Sequence, residues 1–197
     1  MIRLTLAMLL ALAALPVRAA VEIQQVTSPG GIDAWLVEER SIPFTALEIR
    51  FAPGAALDRT GKRGAVNLMA GLLEEGTGDL DAQGFAAARD ALAASFDYDA
   101  YDDAVSVSAR FLTENRDAAV DLLRRSLVEP AFAQDAVDRV RDQVLSVIAR
   151  DSTDPGAIAR RIWDARAFPD HPYGQPVEGT VESVTAPKME GAPAPVR

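Results

Sequence analysis

The sequence predicts an α+β fold, a mixed but mostly antiparallel sheet with helices packed on one face. Three observations carry that expectation. Residues 44–51 and 104–112 alternate apolar and polar side chains with the period of a half-buried strand. From residue 116 onward, apolar residues recur three and four apart, the spacing of amphipathic helices. Strands come first and helices after, with connections of hairpin length, which suits α+β better than an alternating α/β chain. There is no internal repeat.

Taken in order, the chain opens with an apparent export signal over residues 1–19. Arg3 supplies the basic start, residues 4–15 are apolar and uncharged, and Pro16 ends the run. Val17 and Ala19 are small residues before a cut. The run is too short for a bilayer, which needs about 20 residues, and no other segment approaches that length. Two strand-like pieces, 21–26 and 32–37, flank the turn Ser28-Pro29-Gly30-Gly31. In 44–51, Leu47, Ile49 and Phe51 face one way and Glu48 and Arg50 the other. A helix follows over 64–75, stopped by Gly76-Thr77-Gly78-Asp79. A second helix over 81–94 carries Phe85, Ala88 and Leu92 on one face.

The stretch Asp97-Tyr98-Asp99-Ala100-Tyr101-Asp102-Asp103 reads as an acidic hairpin turn. The strand after it points Val105, Val107, Ala109 and Phe111 inward. Helical stripes then run through Ala119, Leu122, Leu123 and Leu127, and through Val137, Val140, Val144, Val147 and Ile148. Asp154-Pro155 is an N-cap acid followed by proline at the first helical position, opening a helix with Ile158, Ile162 and Ala165. Residues 20–186 are expected to form one domain. Residues 187–197, with three prolines and no periodicity, form a disordered tail.

Composition bounds the chemistry. The chain has 197 residues, 49% hydrophobic, with no cysteine and a single histidine, His171. Disulfides, thiolate zinc sites and any site needing two imidazoles are therefore excluded within this chain. The net charge of −9 becomes more negative once Arg3 and Arg18 leave with the signal. An acidic chain without a basic stripe is a poor nucleic-acid binder. The pairs Arg124-Arg125 and Arg160-Arg161 read as solvated helix faces.

Most local motifs fail. Counted from Asp97, the fifth, sixth and twelfth positions of a calcium loop hold Tyr101, Asp102 and Ser108, none of them suitable. No phosphate loop and no Gly-x-Ser-x-Gly elbow occurs. His171, set in a proline-bounded turn, reads as a structural hydrogen-bonding residue, and Glu74 and Glu75 as surface charges. Nothing singles out a carboxylate pair for glycoside hydrolysis.

Residues 64–77, Gly-Ala-Val-Asn-Leu-Met-Ala-Gly-Leu-Leu-Glu-Glu-Gly-Thr, resemble the signature region of the M16 metallopeptidases, the insulinase/pitrilysin family. The likeness continues through Leu122-Leu123, Pro130-Ala131-Phe132, Arg139-Val140-Arg141, Asp154-Pro155 and His171-Pro172-Tyr173-Gly174. Active members carry His-x-x-Glu-His on this helix, two zinc ligands on one face with a general base, and a later glutamate as third ligand. The resemblance places the histidines at Asn67 and Gly71, the base at Ala70 and the later glutamate at Val147. None can serve. An amide is a poor zinc ligand beside imidazole, and the others have no donor atom.

The resemblance implies an M16-like N-terminal domain, shortened after residue 186, where the family continues into another helix and strand. It implies a catalytically silent subunit, periplasmic or secreted, without catalytic or metal residues of its own. Such a subunit would pair with an active M16 zinc peptidase as a heterodimer and help bind the peptide substrate. Zinc is expected only in the active partner. Two other readings stand beside it: a stand-alone peptide-binding or scaffolding module, and a truncated, non-functional product.

Overall fold

The structure, a computed structural model, describes residues 22–186. The expected export signal and proline-rich tail lie outside the described residues. The chain divides into two compact units, one ending at Ile42 and the other starting at Pro43.

In the first unit, β1 (Gln24–Thr27) and β2 (Asp33–Leu36) form an antiparallel hairpin with Gln24 opposite Leu36 and Thr27 opposite Asp33. The turn between them is the one the sequence signals. Ser28 accepts from the Ile32 N–H through its Oγ at 3.0 Å, and Gly31 takes a positive φ of 82°.

The second unit is built on an antiparallel sheet of order β3-β7-β6. β3 (Phe44–Phe51) pairs with β7 (Val105–Leu112), Phe44 opposite Leu112, and β6 (Ser95–Ala100) lies on the other side of β7. Facing residues of an antiparallel pair point to the same side. Leu47, Ile49, Val107, Ala109, Phe96 and Tyr98 therefore share one face, and Glu48, Arg50, Ser108, Arg110, Asp97 and Asp99 the other. Two helices, α2 (Ala82–Ala91) and α3 (Arg116–Val128), supply Phe85, Ala119, Leu122 and Leu123 to the core under the apolar face. Helices on one face and polar residues on the other give the expected α+β arrangement.

β6 corrects the reading of 97–103 as a turn. Asp97 and Asp99 are outward residues of a strand whose Phe96 and Tyr98 point inward, and only 101–104 turn. Aspartate is a poor strand former, but here it occupies the solvated face of an edge strand.

The signature helix, α1 (Ala65–Leu72), is shorter than the periodicity predicts. Its start is capped from a distance: the Asp58 carboxylate accepts from the Gly64 N–H at 2.8 Å and the Val66 N–H at 3.1 Å. After α1 the chain forms a small ladder, β4 (Gly76–Thr77) with β5 (Leu80–Asp81). Thr77, fully buried, donates through its hydroxyl to the Glu129 carbonyl at 3.0 Å, anchoring the end of the signature to the α3 terminus.

A second core joins α1 to α4 (Gln134–Asp151) and α6 (Val181–Thr185) through Leu68, Leu72, Ala136, Val140, Val144 and Val184. Between α4 and α6 lies α5 (Pro155–Ala167), capped as predicted by Asp154, whose carboxylate accepts from the Ala157 N–H at 2.7 Å. Its apolar stripe behaves differently from expectation. No residue of α5 is buried, and Ile162 and Trp163 are 49% and 70% exposed. Periodicity reports which residues share a face, not whether another element covers it.

One buried cation ties these pieces together. The Arg63 side chain is 6% exposed. Its guanidinium donates to Asp102 Oδ1 at 2.5 Å and to the carbonyls of Gln175 at 2.9 Å, Pro176 at 3.0 Å, and Ala55. A planar fork with several fixed donors can satisfy four acceptors at once, which an ammonium cannot do in the same geometry. Removing a buried partner leaves the remaining groups desolvated and unpaired. Arg63→Met is expected to destabilise the fold by about 3 to 5 kcal/mol in urea unfolding, with Arg63→Lys recovering only a minor part. Full recovery by lysine would show that charge alone matters.

Candidate functional site

The positions singled out by the signature lie on α1 and α4. Asn67 and Gly71 are half-buried, Ala70 is 2% exposed, and Val147 is half-buried on α4. Packing brings α1 against α4 at Gly71: a Cβ added there would sit 3.1 Å from Val140 Cγ1. Val147 lies two helical turns, roughly 10 Å, farther along α4. It faces a cleft that Asn67, Ala70 and Gly71 do not line.

The residues present do not fit zinc. An amide, a methyl, a hydrogen and an isopropyl group occupy the four positions, and zinc needs imidazole, thiolate or carboxylate donors. Among the described residues, no group of three or more His, Cys, Asp or Glu side chains is placed to hold a metal ion. Val140 adds a steric obstacle, because any side chain at position 71 must enter through the Cβ position that it crowds. Valine is stiff at χ1 in a helix and yields poorly.

The acids that close α1 are tied into the scaffold. Glu75, 18% exposed, pairs with Arg139 of α4 at 2.7 Å. Glu74 is half-exposed and lies 3.7 Å from Arg89 of α2. Partial burial pushes its carboxyl above the ordinary glutamate range; Arg89 opposes the shift, and Glu75 and Asp97 add to it. These acids are therefore bridge points between helices, not the free surface charges read from the sequence. Nearby, burial raises the Tyr98 phenol to about 12, against an opposing hydrogen bond with Ser126 at 2.6 Å.

His171 Nδ1 accepts from the Tyr173 N–H at 3.3 Å, and the two rings meet edge-on with centroids 4.5 Å apart. The Tyr173 hydroxyl in turn donates to the Asp103 carboxylate at 2.6 Å. No acid or nucleophilic side chain is hydrogen-bonded to the imidazole among the described residues. His171 orders a turn that Tyr173 fastens to the β6–β7 connection.

The structure also shows a cleft of about 300 Å³ between the second half of α4, α5 and the loop 173–179. Val147 and Ile148 contribute apolar wall, and Arg160 and Arg161 open onto it. Sequence reading saw the arginine pair as a solvated face. Which residues meet across α4, α5 and the loop has no signature in the linear order.

Two measurements follow from this packing. Alanine is favoured over glycine by about 1 kcal/mol inside a helix. Gly71→Ala should yield no such gain in the natural protein, and should yield it in a Val140→Ala background; a full gain in the natural background would show that Val140 moves aside freely. For Glu74 the folded state holds the proton more tightly than the unfolded chain. The stability this brings is complete below the ordinary glutamate value of about 4.3 and is lost as pH rises through the raised folded value. Glu74→Gln should accordingly gain stability relative to the natural protein between pH 4 and pH 7, read from urea midpoints. A difference that stays constant or reverses would show that Arg89 outweighs the burial.

Comparison with known proteins places this architecture. The family model for the insulinase peptidases, family M16, matches residues 35–181. Among curated relatives, the non-peptidase homolog YmxG of Helicobacter pylori is 28% identical over 153 residues, covering 78% of this chain and 35% of that protein. An uncharacterized zinc protease of Mycobacterium leprae is 28% identical over 162 residues, 82% of this chain and 36% of that protein. The chain thus spans little more than a third of these relatives. Among solved structures, an M16 peptidase inactive domain from Pseudomonas fluorescens superposes with a TM-score of 0.81 at 26% identity, over 86% of this chain and 41% of that one. Pitrilysin shares the fold with a TM-score of 0.72 at 16% identity, over 86% of this chain and 18% of its own. With an α+β scaffold and a family-model match over residues 35–181, this chain belongs to the insulinase family of peptidases, family M16.

Proposed function

We propose that the chain is an exported, catalytically silent M16 subunit that pairs with an active zinc peptidase and helps bind its peptide substrate. The observation that carries this reading is the loss of all four site positions, Asn67, Ala70, Gly71 and Val147, from a scaffold otherwise packed as an M16 domain. Loss of fold did not accompany loss of chemistry. Arg63, Thr77 and the α1–α4 core are buried and hold the scaffold together without a metal ligand.

Two neighbours support the reading through what they are called: a non-peptidase homolog and an inactive domain. Export rests on the character of residues 1–19. Among the described residues no helix is long and apolar enough to cross a membrane.

The chain purified alone, loaded with excess zinc and desalted, should retain no stoichiometric metal and cleave no peptide. Pull-down with a tagged chain should recover an M16 polypeptide carrying His-x-x-Glu-His. Stoichiometric zinc with chelator-sensitive cleavage would overturn the silent-subunit reading. Recovery of peptides without any M16 chain would replace it with a stand-alone peptide-binding module.

A further inference from the structure

We propose that the cleft between α4, α5 and the loop 173–179 binds an acidic side chain of an extended peptide, gripped by Arg160 and Arg161. This rests on the peptide-binding reading and names the place and the residue class. The cleft is large enough, at about 300 Å³, for one or two side chains, and Val147 and Ile148 give it an apolar wall.

Charge decides what such a cleft takes. Arg160 and Arg161 are the only cationic residues lining it, and neither has an ion-pair or hydrogen-bond partner among the described residues. Most other arginines of the described residues are engaged, as Arg139 and Arg141 show with partners at 2.7 Å. Consecutive helical positions stand about 100° apart, so two neighbouring guanidiniums can open onto one cleft from different angles. Each matches a carboxylate as a planar fork.

The carboxylates nearby set the limit. Asp102 is already held by Arg63 and Asp151 by Arg150 at 3.1 Å, which leaves Asp164 and Glu178 to face the two arginines. Two free cations against two free anions give a locally balanced site. It accepts one carboxylate placed beside the arginines, with an aliphatic neighbour on Val147 and Ile148, and repels a polyanion such as a nucleotide. A lysine side chain beside the two arginines would add like charge there.

The test uses the full chain and end-blocked octapeptides of leucine and serine that differ only in a central Glu, Gln or Lys, titrated calorimetrically. The Glu peptide should bind at least 10-fold more tightly than the Gln peptide, with Lys weakest, and added salt should narrow the gap. R160Q/R161Q, two changes on an exposed helix face, should keep the far-ultraviolet spectrum and abolish the Glu-over-Gln preference. Equal binding of Glu and Gln peptides, or a preference that survives R160Q/R161Q, overturns this assignment while leaving peptide binding itself intact. Failure of every peptide to bind overturns both.

Discussion

The Arg63 guanidinium is the point on which the second unit turns. It stands immediately before Gly64, where α1 begins, and its donors reach a turn at Ala55, the β6–β7 connection at Asp102 and the late loop at Gln175 and Pro176. These partners come from positions up to 113 residues away in the chain. Buried charge is tolerated only when nearly every donor finds an acceptor, so the acceptors must all be in place together. The backbone around it is equally tight. A Cβ on Gly64 would lie 2.4 Å from the Glu178 carbonyl, and one on Gly179 would lie 2.2 Å from the Arg63 carbonyl, both at positive φ. The start of α1 and the late loop are thus pressed together, with the Ser183 hydroxyl closing the contact on the Arg63 carbonyl at 2.6 Å.

That constraint explains how such a scaffold can hold together without metal ligands. A zinc site built on α1 and α4 would contribute ligand bonds between the two helices, but their alignment here rests on other things. Leu68, Leu72, Val140 and Val144 bury against each other, Glu75 pairs with Arg139, and Thr77 anchors the chain after α1. Gly71 lets α4 approach closely, with Val140 filling the space. Once such packing holds the helices, the ligand positions are free to change without loss of the fold. Val147, farther along α4, lines a cleft that Asn67, Ala70 and Gly71 do not reach.

Much of the local structure was legible because the physics behind it is local. The alternation in β3 and β7, the Asp154-Pro155 start of α5 and the α3 stripe all follow from side-chain period and capping, which need only neighbouring residues. Reading failed where partners are distant. Asp97 and Asp99 looked like turn residues until β6 was seen beside β7. Glu74 and Glu75 looked solvated until Arg89 and Arg139 were brought to them. Ile162 belongs to a stripe whose cover the sequence does not specify, and α5 leaves it 49% exposed. Of the candidate site, the lack of any imidazole or carboxylate at Asn67, Ala70, Gly71 and Val147 was plain from residue identity. Its geometry was not.

By itself, the sequence determined what this chain cannot do with its own side chains. One histidine and no cysteine bar a thiolate centre or one that needs two imidazoles, and no folding can supply donor atoms that the residues lack. It also determined the α+β class, through periodicities that hold wherever the strands and helices finally sit. Only the tertiary structure decided that Val140 crowds Gly71, that Arg63 is a buried junction and that Arg160 and Arg161 border a cleft with Val147. Those are relations between segments up to 113 residues apart, and they exist only after the chain has closed on itself.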